Sequence, residues 1–205
     1  MQDEQTGSWW QQVTGEAILG SLKGQRLNAV LHDELSFSIW KQEHPRGRVL
    51  RPGESAKRVS EDWEERTAKM PVFSQLNSDS ELNPRAEIVG IKIGNAAKAY
   101  PLSAIQPQTP VLDYVGDTSV VIVMAQDKKS IRAFERRIDG DELEFFAKPD
   151  SQPPRLIDTQ TGSEWDFRGR GVSGKYSGRE LKKIFALKDY WFDWKAYNPD
   201  TIVYR

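Results

Sequence analysis

The chain has 205 residues, with 29 Lys and Arg against 30 Asp and Glu, so its formal net charge is −1. This balance argues against a protein that binds nucleic acid or an anionic membrane through a globally basic face. The sequence contains no Cys and only two His, His32 and His44, which excludes disulfides, thiolate nucleophiles and Cys-type metal sites, and we expect neither a metal nor another cofactor.

The N-terminal residues carry no recognisable targeting signal. Residues 1–10 contain neither the basic stretch nor the apolar stretch of a signal peptide. No apolar run in the chain reaches the ~18 residues that a transmembrane helix needs. We therefore expect no insertion into a membrane, and the sequence leaves the compartment open.

Two segments of the chain are similar to each other. The sequence TGSWW at residues 6–10 recurs as TGSEW at residues 161–165, and after a one-residue shift the similarity continues to residues 49 and 203. About a dozen identities fall in some 44 positions, mostly on Gly, Trp and Pro, and they predict an internal repeat. A strand-rich stretch precedes the second copy only.

The predicted domain organisation follows from this difference in extent between the two copies. Residues 1–50 correspond to the tail of a first repeat unit, and residues 86–205 form a complete second unit. Residues 51–85 are rich in charge, Ser, Asn and Pro, which is typical of a connector, with one short helix predicted at 61–69. Since a partial unit cannot bury its own apolar residues, we expect 1–50 to pack with 86–205 in one core.

The second unit is predicted to be rich in strands. Residues 87–94 alternate apolar and polar side chains and turn into 97–100, which is typical of a hairpin. Residues 118–125 form an apolar, β-branched run of buried-strand length. A second hairpin is predicted from residues 130–136 and 142–147, around an Asp-Gly turn.

Shorter elements complete the predicted fold. Short strands are expected near residues 155–158, 163–167, 170–173 and 202–204. A helix is predicted over 190–197 with Asp189 as its N-cap, and a related helix begins at Ser36 and ends at His44. The fold class is therefore mainly β, with twisted antiparallel sheets or barrel-like units, short helices and an internal repeat.

Four motifs carry a resemblance to a known family: GIKIGNAAKAYPL at 90–102, FERRIDG at 134–140, DTQTGSEW at 158–165 and WFDWKAYNPDT at 191–201. In this order and spacing they resemble the bacterial family called domain of unknown function 3179, or DUF3179. The resemblance covers nearly the whole chain. Because the function of that family is uncharacterised, it implies a fold more than an activity.

The resemblance also implies a site that this chain lacks. Members are similar to a tandem of two related halves, whose front half carries a His after Tyr-Pro-Leu and a Cys-Pro-Leu-Cys-Gly-like loop after a strand. This chain resembles the rear half plus the tail of the front half. The His position falls near Gln108 and the two Cys positions near Ala125 and Lys128, which cannot form a dithiol or a Cys/His metal site.

Three acidic residues near the second TGS segment, Asp158, Glu164 and Asp166, are the catalytic candidates. Two carboxylates at a suitable separation can act as general acid and base on a sugar. In a strand, however, Glu164 and Asp166 share one face while the intervening Trp faces the other. The first copy has Trp9 and Gln11 at the matching places, so we expect a solvated strand face over a core Trp, with these acids outside the shared element.

Binding candidates are aromatic or basic. Trp9 and Trp63 lie outside the repeat-equivalent Trp positions, so they are candidates for a surface that binds a ligand. Arg132 and Arg136 are candidates for an anion-binding patch beside the Asp-Gly turn, although an exposed, charge-balanced hairpin face is the interpretation we favour. The repeat-equivalent tryptophans, in contrast, are expected in the core: Trp10, Trp40, Trp165 and Trp194.

The sequence therefore favours a non-catalytic, β-rich repeat domain that acts as a scaffold or interaction half and lacks the family's His/Cys site. Its partner would be a missing front half or a second copy of the chain. The alternative is a carbohydrate-active hydrolase or sugar-binding module that uses Asp158, Glu164, Asp166 and surface Trp.

Overall fold

The structure, a computed structural model, describes residues 1–51, 66–67, 69–72 and 81–205. Two compact units contain them, Met1–His32 and Asp33–Arg205. Most of the predicted connector, including residues 61–65 and 68 of its predicted helix and the candidate Trp63, lies outside the described residues, and residues 66–67 and 69 of that helix are helical. The fold is mainly β, as predicted, and the described sheets are open, without closure into a barrel.

The first unit contains one antiparallel strand pair. Strand β1 (Trp9–Trp10) pairs with β2 (Ala17–Leu19), with an irregular register at the two tryptophans. Trp10 and Ala17, which face each other across the pair, are both buried. Trp9 and Leu19, the other facing pair, are exposed.

The second unit contains three four-stranded sheets and one small hairpin. Their strands are β3 (Glu87–Ile93), β4 (Ala96–Pro101), β5 (Val111–Val115), β6 (Thr118–Met124), β7 (Ile131–Glu135), β8 (Arg137–Ile138), β9 (Asp141–Glu142), β10 (Phe145–Ala147), β11 (Leu156–Asp158), β12 (Glu164–Trp165), β13 (Gly171–Ser173), β14 (Lys183–Ile184), β15 (Ala186–Tyr190) and β16 (Ile202–Val203).

The sheet in the order β14-β7-β6-β5 holds the core together. One face of β6 presents Val120 and Ile122 to a core shared with β3 and β4, and the other presents Val121 to a core that contains Trp165. Burial on both faces explains why the sequence of β6 is a continuous apolar run and not an alternating one. The buried strand predicted at 118–125 is confirmed.

The first predicted hairpin is confirmed and the second is wrong in extent. Strands β3 and β4 pair directly in the sheet β15-β3-β4-β16, and β16 joins β4 in parallel. The Asp-Gly turn joins only β8 and β9, which form two residue pairs. Strand β7 pairs instead with β6 and β14, while β10 pairs with β11 in the sheet β10-β11-β12-β13. Long-range partners thus override the local hairpin signal.

The two predicted short helices are confirmed, and one of their caps is corrected. Helix α1 (Phe37–Glu43) begins after Ser36, whose side chain accepts a hydrogen bond from the backbone N–H of Ile39. A one-turn helix, α2 (Leu102–Ile105), follows β4, and α3 is Trp191–Tyr197. The N-cap of α3 is Tyr190, without a side-chain cap, and Asp189 lies in β15.

Asp189 gives a testable pH dependence. Burial, with the negative charges of Asp193 and Glu34, raises the pKa of Asp189 to about 6. Because the folded-state pKa exceeds the unfolded value, the ionised form destabilises the fold, and stability rises as the pH falls from about 6 toward 4. We expect Asp189→Asn to raise the free energy of unfolding at pH 7.5 by about 1–2 kcal/mol, a value reduced for partial exposure.

Urea denaturation between pH 4 and 7.5 measures this effect. The substitution should flatten the pH dependence of stability, whereas Asp200→Asn, at an exposed position, should leave it unchanged. An Asp189→Asn protein that is less stable than the wild type at pH 7.5 would contradict the assignment.

Candidate functional site

The acidic candidate Asp158 is fully buried in a hydrogen-bonded turn. Its carboxylate accepts hydrogen bonds from the backbone N–H of Thr161 at 2.7 Å, from the Thr161 hydroxyl at 2.8 Å, and from the indole N–H of Trp165 at 2.9 Å. The Oγ of Ser163 accepts a further bond from the backbone N–H of Tyr176 at 3.2 Å. These contacts orient the turn and its Trp, and they leave Asp158 closed to a substrate.

The first unit contains the same arrangement. Asp3 accepts hydrogen bonds from the backbone N–H of Thr6 at 2.6 Å and from the indole of Trp10 at 2.8 Å, and the Ser8 Oγ accepts one from the backbone N–H of Leu22 at 3.2 Å. The hydrogen bond from Trp10, with others from Thr6, lowers the pKa of Asp3 to about 2. The expectation that the acids lie outside the shared element was wrong for Asp158, because Asp3 occupies its position in the first copy.

The other two acidic candidates have separate partners. Glu164 forms an ion pair with Lys148 at 2.6 Å. Asp166 accepts two bonds from the Arg170 guanidinium, at 3.0 and 2.9 Å, and others from the backbone of the turn that follows. With Asp158 held by Thr161 and Trp165, the three carboxylates do not form a shared acid–base pair.

The basic candidates are buried, which the expectation of an exposed hairpin face did not anticipate. Arg132 is 4% exposed and makes a two-point contact with Glu43, at 2.6 and 2.8 Å, and a bond to Asp33 at 2.8 Å. Burial alone would lower the pKa of Arg132, but these bonds raise it above its ordinary value. Arg136 is likewise buried and bonded to Glu142 and to the carbonyl of Leu143.

The tryptophans are buried or exposed as the sequence predicts, with one difference. Trp10, Trp165 and Trp194 are buried, and Trp9 is exposed. Trp40, in α1, is only partly buried.

A cleft of about 760 Å³ lies within the second unit. Its walls come from α1, from the turn between β6 and β7, from the segment before β11 and from the turn between β12 and β13. The apolar part of the lining includes Val123, Met124, Leu156 and Phe167. Its volume is that of typical small-molecule sites.

The charged lining of the cleft is mostly cationic. Glu43 and Asp166 also line it, but Glu43 forms an ion pair with Arg132, and Asp166 forms one with Arg170. The cations Lys128, Arg155 and Arg168 line the cleft as well, and no carboxylate in the described part of the chain pairs with them. The sequence contained no signal for this grouping, because Arg155 and Arg168 are placed by the sheet β10-β11-β12-β13.

The turn between β6 and β7 holds Lys128 in place at the cleft. Asp127 accepts bonds from the backbone N–H groups of Lys129 and Ser130 and from the Ser130 hydroxyl at 2.6 Å. Burial alone would raise the pKa of Asp127, but hydrogen bonds from Ser130 and Ser36 outweigh burial and lower it to about 2. Lys128 itself adopts φ 53°, and its carbonyl accepts a bond from the side chain of Gln106.

Comparison with known proteins assigns the chain to a family. The model of a protein family of unknown function, DUF3179, matches residues 1–201. The chain belongs to this family. Searches of curated proteins and of solved structures gave no significant match.

The DUF3179 positions named above lie at the cleft. Ala125 and Lys128, which fall near the two Cys positions of the motif, both line it, as do Gln106 and Thr109 on either side of Gln108. None of these side chains is a thiol or an imidazole.

In residues 1–51, 66–67, 69–72 and 81–205, no three His, Cys, Asp or Glu side chains group as metal ligands would. None of the helices that the structure describes is long and apolar enough to cross a membrane.

Proposed function

We propose that this chain is a non-catalytic domain that acts as a scaffold or interaction half among DUF3179 proteins. The observation that carries the proposal is the cleft, where Ala125 and Lys128 stand near the positions of the family's Cys motif. The cleft has the volume of a small-molecule site, but Ala125 and Lys128 offer neither a thiolate nor an imidazole there.

An exposed apolar pair in the first unit supports an interaction role. Trp9 and Leu19 face each other across β1 and β2 and are 48% and 59% exposed. The matching residues of the second copy, which also face each other, are Glu164 and Ser173. A large apolar pair in only one copy is more typical of a contact surface than of a repeat core. The partner would be a front half of a DUF3179 protein or a second copy of this chain.

A carbohydrate-active hydrolase is supported less well. A glycosidase needs two carboxyl groups that flank one bond, at roughly 5–10 Å from each other across open space. Asp158 is buried, and Glu164 and Asp166 are paired with different cations. A sugar-binding role that uses Trp9 would belong to the same exposed surface as the interaction role.

We further propose that the chain contains an internal repeat and that it corresponds to the rear half plus the tail of the front half of a bacterial DUF3179 tandem. The hydrogen bonds of Asp3, Thr6 and Trp10 match those of Asp158, Thr161 and Trp165 in donor and acceptor. Such agreement in geometry is what two copies of one unit would retain.

Metal titration tests the non-catalytic role. We expect the purified chain to bind no stoichiometric Zn²⁺, Cu⁺ or Fe²⁺ in isothermal titration calorimetry or in metal analysis after dialysis. The reason is that the chain has no Cys and only two His, and no three His, Cys, Asp or Glu side chains group as ligands in the described residues.

His32→Asn and His44→Asn are the matched controls. One tightly bound metal per chain that is lost in either variant would overturn the proposal, because it would reveal a site that neither the sequence nor the cleft provides.

A further inference from the structure

We propose that the cleft is a binding site for a small organic anion, with a carboxylate or phosphate headgroup and an apolar body. This inference goes beyond the scaffold role and does not depend on it. It rests on the cations Lys128, Arg155 and Arg168, which line one cleft and are free of carboxylate partners in the described part of the chain.

The positive charge of the cleft is uncompensated, which is unusual in a chain of net charge −1. Each carboxylate that lines the cleft is bound by an arginine of its own, Glu43 by Arg132 and Asp166 by Arg170. The opposite charges of each ion pair therefore cancel, and these pairs add no net charge to the cleft. What remains for a ligand is the charge of the three cations in the lining, of which Lys128 and Arg168 are exposed and Arg155 is partly buried.

The three cations come from separate elements, so their grouping is a product of the fold. Lys128 belongs to the turn between β6 and β7, Arg155 directly precedes β11, and Arg168 lies in the turn between β12 and β13. Guanidinium groups bind carboxylate and phosphate oxygens in a two-point geometry, and lysine adds a mobile point charge. Such a set of cations recognises an anionic group, a carboxylate or a phosphate.

The rest of the lining fits an apolar body and not a bare ion. Val123, Met124 and Leu156 are buried residues that reach the cleft, and the ring of Phe167 lies on the guanidinium of Arg132 at 4.6 Å. That stacking fixes the Phe167 ring as part of the wall. A volume of about 760 Å³ far exceeds the space that inorganic phosphate occupies.

Two dyes that differ in one charged group test the inference on the full chain. 8-Anilinonaphthalene-1-sulfonate carries an anionic group, and N-phenyl-1-naphthylamine has the same aromatic body without it. By fluorescence titration we expect one sulfonate dye per chain, bound at least about tenfold more tightly than the neutral dye. Its affinity should fall as NaCl rises from about 0.05 to 0.5 M, because salt screens the cations.

Neutral substitutions locate the site. We expect Arg155→Gln and Arg168→Gln each to weaken the sulfonate dye about tenfold, and Lys128→Asn about threefold, with little change for the neutral dye. Asn is chosen because it tolerates the positive φ of Lys128. The control Lys129→Asn removes the same charge from the same turn, outside the lining, and should bind like the wild type. A further control, Trp9→Ser, measures how much dye binds to the exposed pair of Trp9 and Leu19 and not to the cleft.

Competition identifies the headgroup. Hexanoate, hexyl phosphate and hexanol should separate a carboxylate site from a phosphate site, and displacement by either anion at concentrations where hexanol has no effect supports the inference. The inference is overturned if the two dyes bind equally, if hexanol competes as well as the anions, if neither anion competes, or if the cleft variants bind the sulfonate dye as the wild type does.

Discussion

Trp165→Ala and Trp194→Ala should each lower the free energy of unfolding by about 3–5 kcal/mol, as truncation of buried aromatic side chains does. Trp165 is fully buried, packs against Phe145 and Tyr176 with ring centroids 5.9 and 5.7 Å away, and donates its indole N–H to Asp158. Its removal leaves a cavity and takes one hydrogen bond from the buried Asp158 carboxylate.

Trp194 is held differently but as tightly. It is 6% exposed, donates to the hydroxyl of Thr201 at 2.9 Å, and lies so close to Gly90 that a Cβ there would be 2.3 Å from the ring. Urea denaturation measures both losses, and Trp9→Ala, at a side chain 48% exposed, is the control, with an expected change below about 1 kcal/mol. Equal, mild effects for all three would show that the repeat-equivalent tryptophans do not form the core.

The double variant Asp33→Asn with Glu43→Gln should cost about 3–5 kcal/mol, because it leaves the buried guanidinium of Arg132 without a counter-charge. Lys183 also pairs with Asp33. Hydrogen bonds from Arg132 and Lys183 outweigh burial and lower the pKa of Asp33, so Asp33 should act as a counter-charge throughout the neutral pH range.

A third substitution separates charge from packing. Adding Arg132→Met to the double variant removes the unpaired charge and should recover more than half of the lost stability. Stability like that of the wild type in the double variant would show that this ion-pair cluster does not hold α1 to β7. A triple variant no more stable than the double would assign the loss to shape and not to charge.

The elements that the sequence predicts well are those that local pattern determines. The apolar run of β6 lies within one continuous segment of the chain. Strands β3 and β4 are consecutive in sequence and pair with each other. The extent of the Asp-Gly hairpin could not be predicted in the same way. The partners of β7 are β6 and β14, and β14 lies some 50 residues farther along the chain.

The candidate site was harder to predict, for two physical reasons. Arg132 is buried by Asp33 and Glu43, which are 99 and 89 residues away, so its environment has no local signature. Arg155 and Arg168 reach the cleft only because their sheet packs against β6. The structural role of Asp158, in contrast, was visible in sequence, since Asp3 precedes the first TGS segment by the same spacing.

The stability of Asp158→Asn is the most direct test of the central claim, which is that the acids near the second TGS segment build the fold and do not catalyse a reaction. An Asn keeps one acceptor oxygen and turns its NH2 group toward one of the two donors, Thr161 or Trp165, so we predict a loss of about 2–3 kcal/mol in urea denaturation. The matched variant Glu164→Gln, at a partly exposed ion pair, should change stability by less than about 1 kcal/mol. Catalytic carboxylates are held at a cost to stability, and their neutral variants are commonly more stable than the wild type. An Asp158→Asn protein as stable as the wild type, or more stable, would contradict the structural role.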